Sequence, residues 1–189
     1  MNGVPLSPPD GRWSPRLARL GDIPALENLI PLSARVLQTF HYSREQIEAA
    51  IGPIFGVDRQ LIEDRTYFVI EIGDQLIGCG GWSRRQTLFG SDQARTEPDP
   101  ELDPSRDAAR LRAFFVHPEW ARRGLGRALL RACEAGMVER RFICAELVAT
   151  LPGELLYQAF GYRVLDRFDI PMRDGLRLPV VRMGKQLSR

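Results

Sequence analysis

The sequence predicts a single α/β domain around a central mixed sheet of about seven strands, flanked by helices. Three observations carry this. The 189 residues suit one domain. A strand at 110–116, a helix at 124–138 and a strand at 143–149 form a β-α-β unit, whose strands run parallel with a right-handed crossover. The other apolar runs come in neighbouring pairs with tight turns, and so add antiparallel hairpins. Hydrophobic residues make up 44% and charged residues 26%, enough for a sizeable core without staples.

The elements follow in order. Residues 1–15 contain Pro5, Pro8, Pro9 and Pro15 and read as a loose tail, leaving 16–189 as the folded domain. Arg16 to Leu20 alternates as a short strand. Asp22 offers an N-cap with Pro24 in the first turn, and Leu26, Leu29, Ile30 and Leu37 follow at helical spacing. Pro31 should kink or split that helix near Ile30. Ser43 and Gln46 form a capping-box signature before a second short helix through Ile47, Ala50 and Ile51. Thr66–Ile72 and Gln75–Trp82 make a hairpin about the Gly73-Asp74 turn. Gly78, Gly80 and Gly81 weaken the second strand but admit another backbone or a ligand.

Residues 83–108 carry almost no apolar periodicity. Between Glu97 and Asp107 stand five acids, three prolines and one arginine. This is a long polar loop, read either as a solvated insertion or as a mobile lid beside a cleft. Beyond the β-α-β unit, a helix rich in Leu155, Leu156, Tyr157 and Phe160 stops at Gly161. Strands at 162–170 and 178–185 flank the Asp174-Gly175 turn.

Bulk properties exclude several classes. With 26 basic and 24 acidic residues the net charge is +2, so an anion site must be local. A pI near 8.6 raises nucleic-acid binding, but the arginines are scattered and balanced by acids, so no nucleic-acid partner is expected. Lys185 is the sole lysine, an arginine bias that suits a GC-rich, bacterial genome. Three cysteines without a CxxC pair argue against zinc modules and disulfides, and His41 and His117 are too isolated for a metal site, so no metal is expected. The start MNGVPLSPPDGRW lacks a signal-peptide pattern and no run spans a membrane, so a cytoplasmic protein without a membrane partner is expected.

The most informative stretch is FFVHPEWARRGLGRALL, residues 114–130. A buried strand enters a glycine-containing basic turn, and the turn opens a helix. The first helical N–H groups have no partner in the chain, and the dipole adds positive potential there. Gly124 and Gly126 let backbone approach an oxygen-rich ligand, while Arg122, Arg123 and Arg127 add charge. The expectation is a phosphate or pyrophosphate site. The fragment alone also reads as a tight turn with solvated arginines, because neither the dinucleotide fingerprint nor a P-loop is present.

From Arg16 to Lys185 the chain resembles the GNAT superfamily of acyl-CoA-dependent N-acetyltransferases. The match rests on FFVHPEWARRGLGRALL, on LLYQAFGYR at 155–163, and loosely on the opening RLARLGDIPALENLI. The resemblance implies a GNAT-like fold in which the parallel pair splays, with acetyl-CoA as cosubstrate. It implies that the strand ending at Phe115 and Val116 bonds the pantetheine arm. The amides from Arg122 through Gly124, Leu125 and Gly126 to Arg127 would cradle the pyrophosphate. Ala121 departs from the family, which prefers Gln or Arg three residues before the first glycine; Arg122 or Arg123 would make up the charge.

The resemblance also places Tyr157 where many members carry the general acid that protonates the departing thiolate; the bland alternative is a core tyrosine. A phenol suits that role because it stays protonated at neutral pH. Where relatives carry a base stand Arg110 and Arg112, which cannot deprotonate. They either line a cationic acceptor cleft or pair with Glu71 or Glu146. Asp107 or a water chain would take the proton. Cys79 as an acyl carrier lacks an activating neighbour. The backbone N–H near Val116 would polarise the thioester carbonyl. Trp82 lines the cleft or covers its strand. The expected function is acetyl transfer to a small-molecule or peptide amine by direct attack; the alternative is a CoA-binding regulator without turnover. The oligomeric state is open between monomer and homodimer.

Overall fold

The computed structural model describes residues 13–92 and 99–187. Seven strands form one sheet: β1 (Arg16–Leu17), β2 (Tyr67–Ile72), β3 (Gln75–Ser83), β4 (Ala109–Val116), β5 (Cys144–Thr150), β6 (Arg163–Pro171) and β7 (Arg177–Gln186). Their order across the sheet is β1-β2-β3-β4-β5-β7-β6. Only β4 and β5 run parallel among these pairs. That matches the mixed seven-stranded sheet expected.

Helices α1 (Ile23–Leu37), α2 (Arg44–Ala50) and α3 (Arg59–Glu63) precede the hairpin; α4 (Leu125–Glu139) joins β4 to β5, and α5 (Glu154–Ala159) follows β5. One face of the sheet carries a core from α1, α2 and α3, with Leu26, Ile30, Ile47, Leu61, Tyr67 and Phe115. The other face packs under α4, with Leu130, Cys133, Met137, Leu147 and Tyr157. Trp82 belongs here, buried against Phe142, so it covers its strand rather than lining a cleft.

Local signals explain most boundaries. Ser43 accepts from the Gln46 amide and the Gln46 side chain accepts from the Ser43 amide, the capping box complete in both directions. Asp22 stands at the start of α1 without capping it; its carboxylate accepts from the Arg19 amide and pairs with Arg16. Pro31 sits inside α1 but does not split it. The buried face of Leu26, Leu29, Ile30, Ser33 and Ala34 holds the helix on the sheet through the missing bond.

One expectation at the N-terminus needs correction. Trp13, placed in the loose tail, donates its indole N–H to the Arg123 carbonyl at 2.6 Å; residues 1–12 lie outside the described residues. The 83–108 loop, read as a solvated insertion or a mobile lid, is fastened at both stalks, with 93–98 outside the described residues. The Gln86 amide donates to the Pro100 carbonyl and the Leu102 amide to the Arg84 carbonyl. Arg85 pairs with Asp64 at 2.7 Å and Arg84 with Glu101 at 2.9 Å. Phe89 from this loop reaches Phe168 on β6, ring centres 6.2 Å apart.

Candidate functional site

The site begins where β4 and β5 part. Their register runs Ala109 to Ala145, Arg110 to Glu146 and Leu111 to Leu147, and stops. Beyond it β5 continues against β7 alone, as Val148 to Arg182 and Ala149 to Val181. The upper half of β4 therefore has no ladder partner on that side. This is the splay expected of the parallel pair.

A bulge in β4 marks the same level. The β3–β4 register moves from Cys79 opposite Phe115 to Gly81 opposite Arg112, so β4 carries one extra residue. Ala113 takes it up with φ 55, uncommon for a residue with a Cβ. The Tyr67 hydroxyl donates to the Ala113 carbonyl at 3.2 Å and holds the distortion in place. The bulge turns Phe114 toward α4 and α5, its ring 6.1 Å from Tyr157 and seated on Gly80, where a Cβ would come within 2.9 Å. At Gly81 a Cβ would meet the Tyr67 ring at 2.6 Å. Both glycines thus admit side chains of this protein, not a ligand.

Above the splay, β4 ends and a single turn at Pro118–Trp120 leads into the basic turn. His117 starts that turn, its Nδ1 accepting from the Glu119 amide, so it has a local structural role. Arg122 has φ 61 and Gly124 φ 87, the left-handed region on either side of Arg123. Gly124 precedes α4 without a side-chain cap, and its carbonyl accepts from the Ala128 amide. The first-turn amides of Leu125, Gly126 and Arg127 are left facing outward with the helix dipole behind them. A left-handed residue followed by a helical one makes successive N–H groups converge into an anion-binding concavity. At Gly126 a Cβ would lie 3.0 Å from the Leu156 side chain of α5, so glycine lets α5 pack close against the turn. Arg122, Arg123 and Arg127 are exposed around it. Leu125 is buried and anchors the turn in the core. The donor set fits a pyrophosphate.

Phe115 points into the α1-side core, edge-on to Phe55, so only its backbone can meet a ligand. The Val116 amide donates to the Ser33 hydroxyl of α1 at 3.3 Å. Ser33 is buried at 4% exposure and carried no signal in the sequence beyond its place on the helix's inner face. It occupies, in this state, the N–H expected to face the thioester.

Tyr157 lies on α5 with its ring edge-on to Phe114 and Tyr162. Burial pushes its phenol well above the usual tyrosine value, so it is a protonated hydroxyl throughout the neutral range. Cys79 is fully buried, and burial pushes its thiol up to about 12, so it is not a thiolate nucleophile.

The two arginines of β4 do not make a cationic cleft. Arg110 pairs with Glu146, which also accepts from Arg182. Arg112 pairs with Asp58 before α3 at 2.8 Å and donates to the Thr87 and Gly90 carbonyls. Glu71 is engaged by Arg16. The reason is the splay: at Arg112 β5 has already departed, so the side chain turns to α3. Asp107 is not poised as a base either, because its carboxylate accepts from the Asp103 amide at 2.8 Å. Among the described residues no three His, Cys, Asp or Glu side chains cluster as metal ligands would. No helix among them is long and apolar enough to cross a membrane.

A family model described as an acetyltransferase (GNAT) domain matches residues 63–164. No curated protein matches. Solved structures are similar over nearly the whole chain. A GCN5-related N-acetyltransferase from Rhodopseudomonas palustris is 18% identical with a TM-score of 0.67, covering 93% of this chain and 96% of that one. The PaiA N-acetyltransferase from Thermoplasma acidophilum, solved in complex with coenzyme A, is 16% identical with a TM-score of 0.61, covering 93% and 99%. The ribosomal-protein-S18-alanine N-acetyltransferase from Escherichia coli is 16% identical with a TM-score of 0.57, covering 94% and 96%. At these identities the likeness is one of fold.

Proposed function

The chain belongs to the GNAT acetyltransferase family, and from that premise we propose that it moves an acetyl group from acetyl-CoA to an amine by direct attack. The observation that carries this is the seam above Leu111 and Leu147, opening beneath the uncapped start of α4. Acetyl-CoA supplies an activated thioester. The amides of Leu125, Gly126 and Arg127 bind its pyrophosphate, with Arg122 and Arg123 adding charge. The backbone of Phe115 and Val116, bare of a ladder partner on the β5 side, bonds the pantetheine arm. Ser33 yields the Val116 amide when that arm enters.

Tyr157 then serves as the proton donor to the leaving sulfur. Its place beside Phe114, at the level of the bulge, and its burial as a neutral phenol both support the role. The buried Cys79 thiol favours direct attack over an acyl-enzyme. Glu146 and Asp58 are committed to arginines. The acceptor amine therefore sheds its proton to water, or arrives neutral. Proximity and orientation supply most of the rate.

The acceptor is a small-molecule or peptide amine reaching the seam from the α1 face. There Phe89 packs on Phe168, and a recess of about 270 Å³ lies among Leu151, Arg167, Phe168, Asp169, Pro179 and Val180. The protein works in the cytoplasm. Calorimetry with coenzyme A and thiol release from acetyl-CoA over an amine panel test the reading together. Binding with release above the hydrolytic background is expected. Binding without release for any amine would make the chain a CoA-responsive binder. Gly126→Val should weaken CoA binding, since its side chain presses on Leu156 of α5 and displaces the first turn of α4; wild-type affinity in a folded variant would refute the cradle.

A further inference from the structure

The N-terminal approach to β1 contacts the cofactor turn directly. Trp13 donates its indole N–H to the Arg123 carbonyl at 2.6 Å across 110 residues of chain. Its ring meets Trp120 edge-on, centres 5.9 Å apart at 87°. Trp120 is buried at 6% exposure, packed with Ile70, Ile77, Leu125 and Leu129. The Arg123 guanidinium lies 5.0 Å over the Trp120 ring. The Trp13 ring also lies within van der Waals reach of Gly124, 3.8 Å from where its Cβ would be.

We propose that Trp13 is a positioning residue for the pyrophosphate cradle, an inference that rests on the acetyl-CoA reading above. The reasoning is geometric. In a trans peptide the carbonyl of Arg123 and the N–H of Gly124 point in opposite directions. Fixing the first fixes the second. Arg122 and Gly124 are both left-handed, so the peptide after Arg123 sits between two turn residues and its orientation decides where the Gly124 N–H points. The hydrogen bond from the half-buried Trp13 fixes that orientation and aims the Gly124 amide into the concavity with those of Leu125 and Gly126. The same Trp13–Trp120 pair stations the Arg123 charge beside it. The turn is thereby pre-organised, and the ligand spends less of its binding free energy ordering it.

Trp13→Phe keeps the aromatic edge contact and deletes the donor. The test compares wild type and Trp13→Phe for binding of coenzyme A, of inorganic pyrophosphate and of S-acetyl-pantetheine, which lacks the pyrophosphate. The loss of one such hydrogen bond predicts about five- to tenfold weaker coenzyme A and pyrophosphate binding, with S-acetyl-pantetheine unchanged. Turnover at saturating acetyl-CoA should hold while KM for acetyl-CoA rises. Equal loss for all three ligands would show a merely structural role and overturn the inference. So would unchanged coenzyme A binding. If wild type itself binds no coenzyme A, the cofactor reading fails first. Should Trp13→Phe fail to fold, Trp13→His, which restores a ring N–H, must bind coenzyme A more tightly than Trp13→Leu, or the inference falls.

Discussion

The Asp58 carboxylate meets the Arg112 guanidinium at 2.8 Å, with the two side chains 1% and 2% exposed. This pair joins the start of α3 to the middle of β4, and Arg112 also donates to the carbonyls of Thr87 and Gly90 in the long loop. One buried cation thus ties three segments together. Asp58→Asn keeps the shape and strands the charge. Loss of one partner of a buried pair costs about 3–5 kcal/mol. Urea unfolding should show a lower midpoint with an unchanged slope.

The two stalks of the long loop should be protected in the free protein at the amides of Gln86, Thr87 and Leu102. The amides of Gln86 and Leu102 are bonded to backbone carbonyls, and that of Thr87 to the Asp99 carboxylate. Amide exchange should be slow at these three positions without any acceptor present. Asp64→Ala releases Arg85 and Arg84 and should speed exchange there, leaving β5 and β7 unaffected.

Tyr157→Phe should reduce kcat by about 10²–10⁴-fold with little change in coenzyme A affinity, the range for a general acid. Because burial raises the phenol, wild-type kcat should show no loss from tyrosine ionisation up to pH about 10. Near-full turnover by the variant would assign the proton to water.

Stability should fall at both ends of the pH scale. Arg85 holds the Asp64 carboxylate below its usual range, against the cost of burial, and Arg16 does the same for Asp22. Depressed folded values mean stability present at neutral pH and lost as pH falls below about 4. On the alkaline side, burial raises Tyr42 to about 12 and lifts Tyr67, Tyr157 and Tyr162 as well. Below pH about 10 both states keep these protons; above it only the unfolded chain sheds them, so stability declines. Absorbance titration of the folded protein should show no tyrosine ionising near pH 10.

Much of this was legible in the sequence because the signals are local. The Ser43–Gln46 box, the β-α-β unit, the Gly161 stop and the Asp174-Gly175 turn each need only a few adjacent residues. What escaped depends on distant partners. The Ala113 bulge has no glycine to announce it, since Tyr67 from another strand holds it. For Arg112 the sequence offers a cationic cleft or cross-strand acids, but the splay removes β5 from its reach and Asp58 takes it. Five-residue α3 is too short for periodicity. Trp13 looked like tail because its partner, Arg123, lies far along the chain. At the site, the glycine turn and Tyr157 were readable as residue types at a spacing; the covering role of Ser33 over the Val116 amide was not.

The parting of β4 and β5 also has a mechanical side. Below Leu111 and Leu147 the sheet is one plate, riveted by Arg110 and Arg182 on the single carboxylate of Glu146. Above that level it is two leaves. Leaves joined at one end flex about the rivet, so a small bend there widens the mouth far more than the throat. Girth at the mouth is thus cheap to change and girth at the throat costly, and a longer acyl chain would be resisted at its tip before it was resisted at its root.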